Sequence, residues 1–137
     1  MDLSSQWIAG FVDGVGRFQI ELRPDPEKTV KYQVLPEFSV LRPQRDVQIL
    51  FGLKSFFKCG VVRADKGDHM TYRVRSLNHL LTIINPFFLK HQLKTKRRLD
   101  FEKFRDVLLL MEKGEHETLE GMQRIRAIVD SMNTGAS

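Results

Sequence analysis

The stretch Trp7-Ile8-Ala9-Gly10-Phe11-Val12-Asp13-Gly14-Val15-Gly16-Arg17-Phe18 decides the fold. Ser4 or Ser5 can cap a helix running to about Asp13, because a serine oxygen can accept from the orphan amides of a first helical turn. Trp7, Ile8, Phe11 and Val12 then recur at helical spacing and make one apolar face. Gly10 and Gly14 stand four apart, so they share a stripe. An isolated glycine costs a helix about 1 kcal/mol relative to alanine. Close approach of a second backbone would compensate that cost; equally, Gly14 and Gly16 could simply end the helix. From Arg17 the period changes from 3.6 to two. Phe18, Ile20 and Leu22 alternate with Gln19, Glu21 and Arg23, as in a strand with one buried face.

Outward from this corner the chain keeps changing period. A second strand spans about Tyr32–Leu41, with Val34, Phe38 and Val40 inward, and Pro36 suggests a bulge or an edge position. A helix over Arg45–Phe57 places Val47, Leu50, Phe51 and Phe57 inward. Cys59-Gly60 turns the chain into a strand at Val61–Ala64, and Lys66-Gly67-Asp68 links it to another at about Met70–Arg75. Leu77, Leu80, Leu81 and Ile84 predict a helix ended by Asn85-Pro86. A long helix over Leu93–Lys113 would bury Phe101, Phe104, Leu108 and Met111. Thr118 can cap a last helix bearing Leu119, Met122, Ile125, Val129 and Met132. The expected order is αββαββα plus two C-terminal helices: an α+β fold in one domain over residues 1–133, with a flexible tail at 134–137. No second copy of the opening motif occurs in the chain.

Composition narrows the function. At 137 residues with 42% hydrophobic content and ten Phe, the chain can build a packed core. A net charge of +5 favours a polyanionic partner. Cys59 is the only cysteine, so neither an intrachain disulfide nor a thiolate zinc cluster is available. No apolar run reaches the ~20 residues that span a bilayer, and the start lacks a secretory signal pattern. An intracellular setting, cytoplasm or organelle matrix, is expected. His69, His79, His91 and His116 lack metal-ligand spacing, and neither a nucleophile elbow nor a phosphate-cradling glycine loop is present.

The opening stretch resembles the motif of the LAGLIDADG homing endonucleases, in the single-motif form found in ribosomal-RNA introns. Tyr32–Phe38, Gln44-Arg45-Asp46, Phe56–Gly60, Tyr72–Arg75 and Leu93–Phe104 extend the likeness over nearly the whole chain. The resemblance implies a four-stranded antiparallel saddle sheet that grips the major groove of double-stranded DNA. It implies a homodimer joined through Trp7, Gly10, Phe11 and Gly14 of the motif helices, on a pseudo-palindromic site. On the first strand Arg17, Gln19, Glu21 and Arg23 would meet the nucleic acid. On later strands the candidates are Gln33, Glu37, Ser39, Arg63, Thr71, Arg73 and Arg75, whose types suit base edges. Lys96, Arg97 and Arg98, in the densest basic run, would reach phosphates.

The resemblance also carries a defect. The family's acidic metal ligand, just before the last glycine of the motif, is here Val15, and Mg²⁺ takes oxygen ligands. The water-organising Gln of the family corresponds to Arg42. Lys94 corresponds to a basic residue near the phosphate, and Asp13 to a position that is usually structural. Arg42, with Arg17, could supply positive charge in place of cations. No metal or other cofactor is therefore expected, although the family uses Mg²⁺. The leading expectation is a nucleic-acid binder on double-stranded DNA with little or no cleavage. The alternatives are a role on structured RNA, such as intron splicing, and a residual nuclease using Asp13 or Glu21 as a substitute ligand.

Overall fold

The computed structural model describes residues 2–133, and the tail expected at 134–137 lies outside them. Helix α1 (Ser5–Val15) starts where Ser4 Oγ accepts from the Trp7 amide at 3.1 Å, a cap that contributes roughly 1 kcal/mol. It ends at Gly16, where the requirement for glycine is steric. A Cβ there would lie 2.5 Å from Val12 Cγ1 and 2.9 Å from the Val12 carbonyl oxygen. The apolar face expected on this helix is in fact two rows. Ile8 and Val12 are fully buried, whereas Trp7 is 43% exposed and stacks on half-buried Phe11 with ring centroids 4.8 Å apart. Each residue turns the helix by about 100°, so Trp7 and Phe11 share one row and Ile8 and Val12 the next.

The chain runs straight from α1 into β1 (Gly16–Pro24), which pairs antiparallel with β2 (Tyr32–Pro43). Strands β3 (Val61–Ala64) and β4 (His69–Val74) complete one antiparallel sheet in the order β1-β2-β4-β3. Pro36 causes no bulge. It sits opposite Ile20 in an unbroken register, at a point where β4 has already ended and the second edge of β2 is open. Proline's missing N–H therefore costs the ladder little.

Helices cover one face. A 3₁₀ turn at Gln44–Asp46 leads into α2 (Val47–Phe57), which buries Leu50, Leu53 and Phe57. Phe51, expected inward, is 45% exposed, because the buried stripe runs through Leu50 and Leu53 instead. After β4, Ser76 caps α3 (Leu77–His79), which continues through a π turn at Leu80–Ile84 into α4 (Asn85–Lys90). The helix expected to stop at Asn85-Pro86 thus carries on. The Asn85 amide bonds the Leu80 carbonyl five residues back, and the widened turn makes room for the Pro86 ring.

Helix α5 (Arg97–Glu112) starts four residues later than expected and buries Phe101, Phe104, Leu108 and Met111. Thr118 Oγ1 accepts from the Gly121 amide at 2.9 Å and caps α6 (Leu119–Asn133). Of the apolar residues on this helix, Leu119 is 61% exposed, while Met122, Ile125 and Val129 are buried. Between sheet and helices lies an aromatic core in which Phe18 meets Phe38, Phe88, Phe101 and Phe104 at centroid distances of 5.2–5.6 Å. Tyr72, fully buried, donates its hydroxyl to the Cys59 carbonyl at 2.8 Å. Gly60 must follow at a φ of +88°, with that same ring 2.7 Å from where a Cβ would stand.

Candidate nucleic-acid interface

The end of α1 is a structural joint. Both Asp13 carboxylate oxygens are engaged: Oδ2 accepts from the Lys94 amide at 2.8 Å, and Oδ1 from the Thr95 amide at 2.9 Å and Thr95 Oγ1 at 2.6 Å. Thr95 Oγ1 also lies 2.9 Å from the Asp13 carbonyl. The segment that opens α5 is thereby fastened to the motif helix. Partial burial alone would raise the Asp13 pKa, but the Thr95 and Lys94 donors outweigh it and hold the carboxyl below its ordinary value. Two residues on, Val15 is half-buried and packs against the core.

Arg42 is not a free cation. By alternation it belongs with Val40 and Phe38 on the helix-covered side, and its Nη2 donates to Asp46 Oδ2 at 2.8 Å. Its Nε is buried without a partner. The pairing of Gly16 with Val40 puts Arg42 at the same end of the sheet as Val15.

The opposite face of the sheet carries the alternating polar set. The register lines up Arg17, Ser39, Arg73 and Val61 in one cross-strand row, and Leu41, Thr71 and Arg63 in the next. Toward the other end follow Gln19 with Glu37, Glu21 with Leu35, and Arg23 with Gln33. Arg17, Glu21, Arg23, Gln33, Arg63 and Arg75 are exposed, and Gln19, Glu37 and Arg73 are half-buried. Ser39 and Thr71, expected to offer hydroxyls outward, are buried. Ser39 is a short side chain between Arg17 and Arg73 in the register, while Thr71 Oγ1 turns back to the Val40 carbonyl at 3.4 Å. Several charged groups hold one another: Arg75 Nε meets Glu37 Oε1 at 2.6 Å, and Arg23 Nη2 meets Glu21 Oε1 at 3.5 Å. With the Gln19 amide oriented to satisfy its neighbours, its oxygen accepts from Arg17 Nε and Nη2 at 3.1 and 2.6 Å.

The basic run divides. Lys96 and Arg97 line a groove of about 340 Å³ with Arg17, Gln19 and Glu21. Arg98, one residue round the helix, lies instead in a cleft with Phe88 and Glu102 and pairs with Glu102 at 3.3 Å. It is therefore not grouped with the saddle. Charge follows the same geography: residues 47–99 hold eleven Lys and Arg against Asp65 and Asp68 alone. The remainder of the chain carries net negative charge.

Residues 8–108 match the sequence profile described as LAGLIDADG endonuclease. The chain belongs to the LAGLIDADG endonuclease family. Its fold superposes on the crystal structure of the homing endonuclease I-TnaI with a TM-score of 0.93 and 46% identity, covering 98% of this chain and 91% of that one. I-SmaMI bound to cleaved DNA is similar at a TM-score of 0.92 and 30% identity, covering 96% of this chain and 44% of that one. "Probable intron-encoded endonuclease 2" of Neurospora crassa is 28% identical over 132 residues, 96% of this chain and 28% of that protein. This chain spans about a quarter of the length of the curated relatives it matches.

The divalent metal that the LAGLIDADG family generally uses does not fit the donors of this motif helix. Val15 offers no oxygen, and the Asp13 oxygens are taken up by main-chain and hydroxyl donors. Glu21 lies five residues up β1 from Gly16, roughly 17 Å at strand rise, and pairs with Arg23. Among the described residues no group of three or more His, Cys, Asp or Glu is placed to hold a metal. No helix among them is long and apolar enough to cross a membrane.

Leu35, Leu41 and Val61 share the open face of the sheet and are absent from the candidates drawn from the sequence. Strict period-two counting finds all three; attention to polar types alone passes over them. The Asp13–Thr95 joint spans 82 positions, and no local pattern announces it.

Proposed function

We propose that this chain is a DNA-binding protein derived from a LAGLIDADG homing endonuclease, pairing with a second copy and holding duplex DNA without metal-dependent cleavage. The observation that carries this reading is the split at the end of α1: the carboxylate that fastens the fold is kept at Asp13, and the position for a metal ligand is Val15. Duplex DNA as ligand is supported by the concentration of positive charge in residues 47–99 and by the likeness to I-SmaMI, which is bound to DNA. Arg17, Gln19, Glu21, Arg23, Gln33, Glu37, Arg63, Arg73 and Arg75 face the bases. Lys96 and Arg97 meet phosphates beside β1, with Lys94 close by.

Pairing is supported by the outer row of α1. Nothing lies within 4 Å of where a Cβ would stand at Gly10 or Gly14, and exposed Trp7, stacked on half-buried Phe11, flanks that stripe.

Binding to a randomised duplex pool and to structured RNA, each over a salt series, tests the reading. The expected result is a pool enriched in pseudo-palindromic duplexes, two protomers on each, with an advantage over RNA that survives high salt. RNA bound as tightly or more tightly at every salt concentration overturns the DNA assignment in favour of an RNA role.

A further inference from the structure

We infer that Glu37 positions Arg75 as a guanine-reading fork, making this pair a specificity-determining subsite of the saddle; the inference rests on the DNA reading above. The arginines of the open face differ in which nitrogens they have already committed. Arg17 gives both Nε and Nη2 to Gln19, and Arg23 turns Nη2 to Glu21. Either contact uses part of the fork that two parallel hydrogen bonds to guanine O6 and N7 would need. Arg63 has no ion-pair partner among the described residues, so nothing fixes its direction. Arg75 combines the two requirements. Its Nε is anchored on Glu37 at 2.6 Å, while Nη1 and Nη2 take no partner among the described residues.

Exposure agrees with this division of labour. The Glu37 side chain is 17% exposed and that of Arg75 is 64% exposed, so the carboxylate is the recessed support and the guanidinium the projecting part. A recessed carboxylate on a surface that meets phosphates is unfavourable unless it does something for a cation beside it. The backbone explains why the pair forms. β4 ends at Val74 opposite Phe38, so Arg75 continues the register just past the ladder and lands opposite Glu37. Beside the pair a cleft of about 420 Å³, lined by Gln19, Leu35, Pro36 and Leu77, opens where the outer edge of β2 has no neighbour. An apolar wall next to a free guanidinium fork suits a guanine step with a thymine methyl against Leu35.

The test is selection from a randomised duplex pool by wild type, Glu37→Gln, Arg75→Ala and Arg75→Lys, with thermal unfolding followed alongside. Wild type should prefer G·C at one position in each half-site. Arg75→Ala should lose roughly tenfold or more of that preference, as expected for a bidentate contact. Arg75→Lys should lose the preference by a larger factor than it loses affinity for the pool as a whole, because an ammonium keeps the charge but has no fork. Glu37→Gln should flatten the same position by a larger factor than it weakens binding to the pool as a whole, with cooperative thermal unfolding retained. The inference is overturned if Glu37→Gln leaves the Arg75-dependent position unchanged. It is equally overturned if Arg75→Ala weakens all sequences alike, which would mark a phosphate contact. Preferences that ignore Arg75 sink this inference alone, whereas no duplex binding by wild type sinks the DNA reading with it.

Discussion

The end of the motif helix and the open face of the sheet use charged residues in opposite ways. Near the helix end the charged side chains are held by protein partners: Asp13 by the segment before α5, and Arg42 by Asp46. On the sheet, the charges hold one another only partly. Arg75 keeps its terminal nitrogens outward, and Arg63 stands without an ion-pair partner among the described residues. The contrast teaches that the motif carries two separable duties. Asp13 fastens the motif helix to the segment that opens α5. Val15 packs against the core, and the joint two residues earlier is formed beside it.

If that division is right, substitutions at the helix end should move stability and those on the sheet should move binding. The largest effect belongs to Asp13→Ala, which strands the Lys94 and Thr95 amides and the Thr95 hydroxyl. Denaturant unfolding should reveal a loss of roughly 1.5 kcal/mol, the lower end of the range for hydrogen bonds to a charged acceptor, because water reaches these donors. The contribution has a pH signature. Because the Asp13 carboxyl is held below its ordinary value of 3.8 in the folded state, its stabilisation is complete above that value. It fades as pH falls through the lowered folded pKa. Asp13→Asn should remove that acid-limb slope; an unchanged slope would move the acid sensitivity elsewhere.

Next comes the pairing stripe. Gly14→Leu adds a side chain into space that is open in the single chain, so unfolding of the protomer should be unaffected or slightly improved. Self-association should nonetheless weaken at least tenfold, on the order of the 1–3 kcal/mol that overpacking costs, as read by sedimentation equilibrium. Association that survives Gly14→Leu would place the partner copy on another surface. The smallest effect is expected at Lys96→Ala: affinity should drop a few-fold for all duplexes alike, and the salt slope should shrink by about one. A change in sequence preference instead would move Lys96 from the phosphates to the bases.

Much of this was legible in the chain because the deciding signals are local. The switch from helical to alternating period at Gly16 announces α1 and β1, and Thr118 announces α6. The polar face followed from alternation alone as far as Arg17, Gln19, Glu21 and Arg23. What stayed hidden depends on partners distant in sequence. Phe51 is apolar yet exposed because the helix is oriented by Leu50 and Leu53. Pro86 does not stop its helix, since a π turn absorbs it. Ser39 and Thr71 have the right parity for the open face but are buried there, one between two arginines in the register and the other bonded back to the strand beside it. Arg42 reads from the sequence as a cation near Val15, and only the structure shows that it pairs with Asp46.

One experiment directly tests the proposed separation of binding from cleavage at Val15. Duplexes enriched by the protein from a randomised pool are incubated with it in Mg²⁺ or Mn²⁺, while affinity is followed with and without the metal. The account predicts intact duplexes and an affinity indifferent to either cation. Discrete, reproducible cuts by the wild-type chain, or binding that tightens severalfold with Mg²⁺, would contradict it.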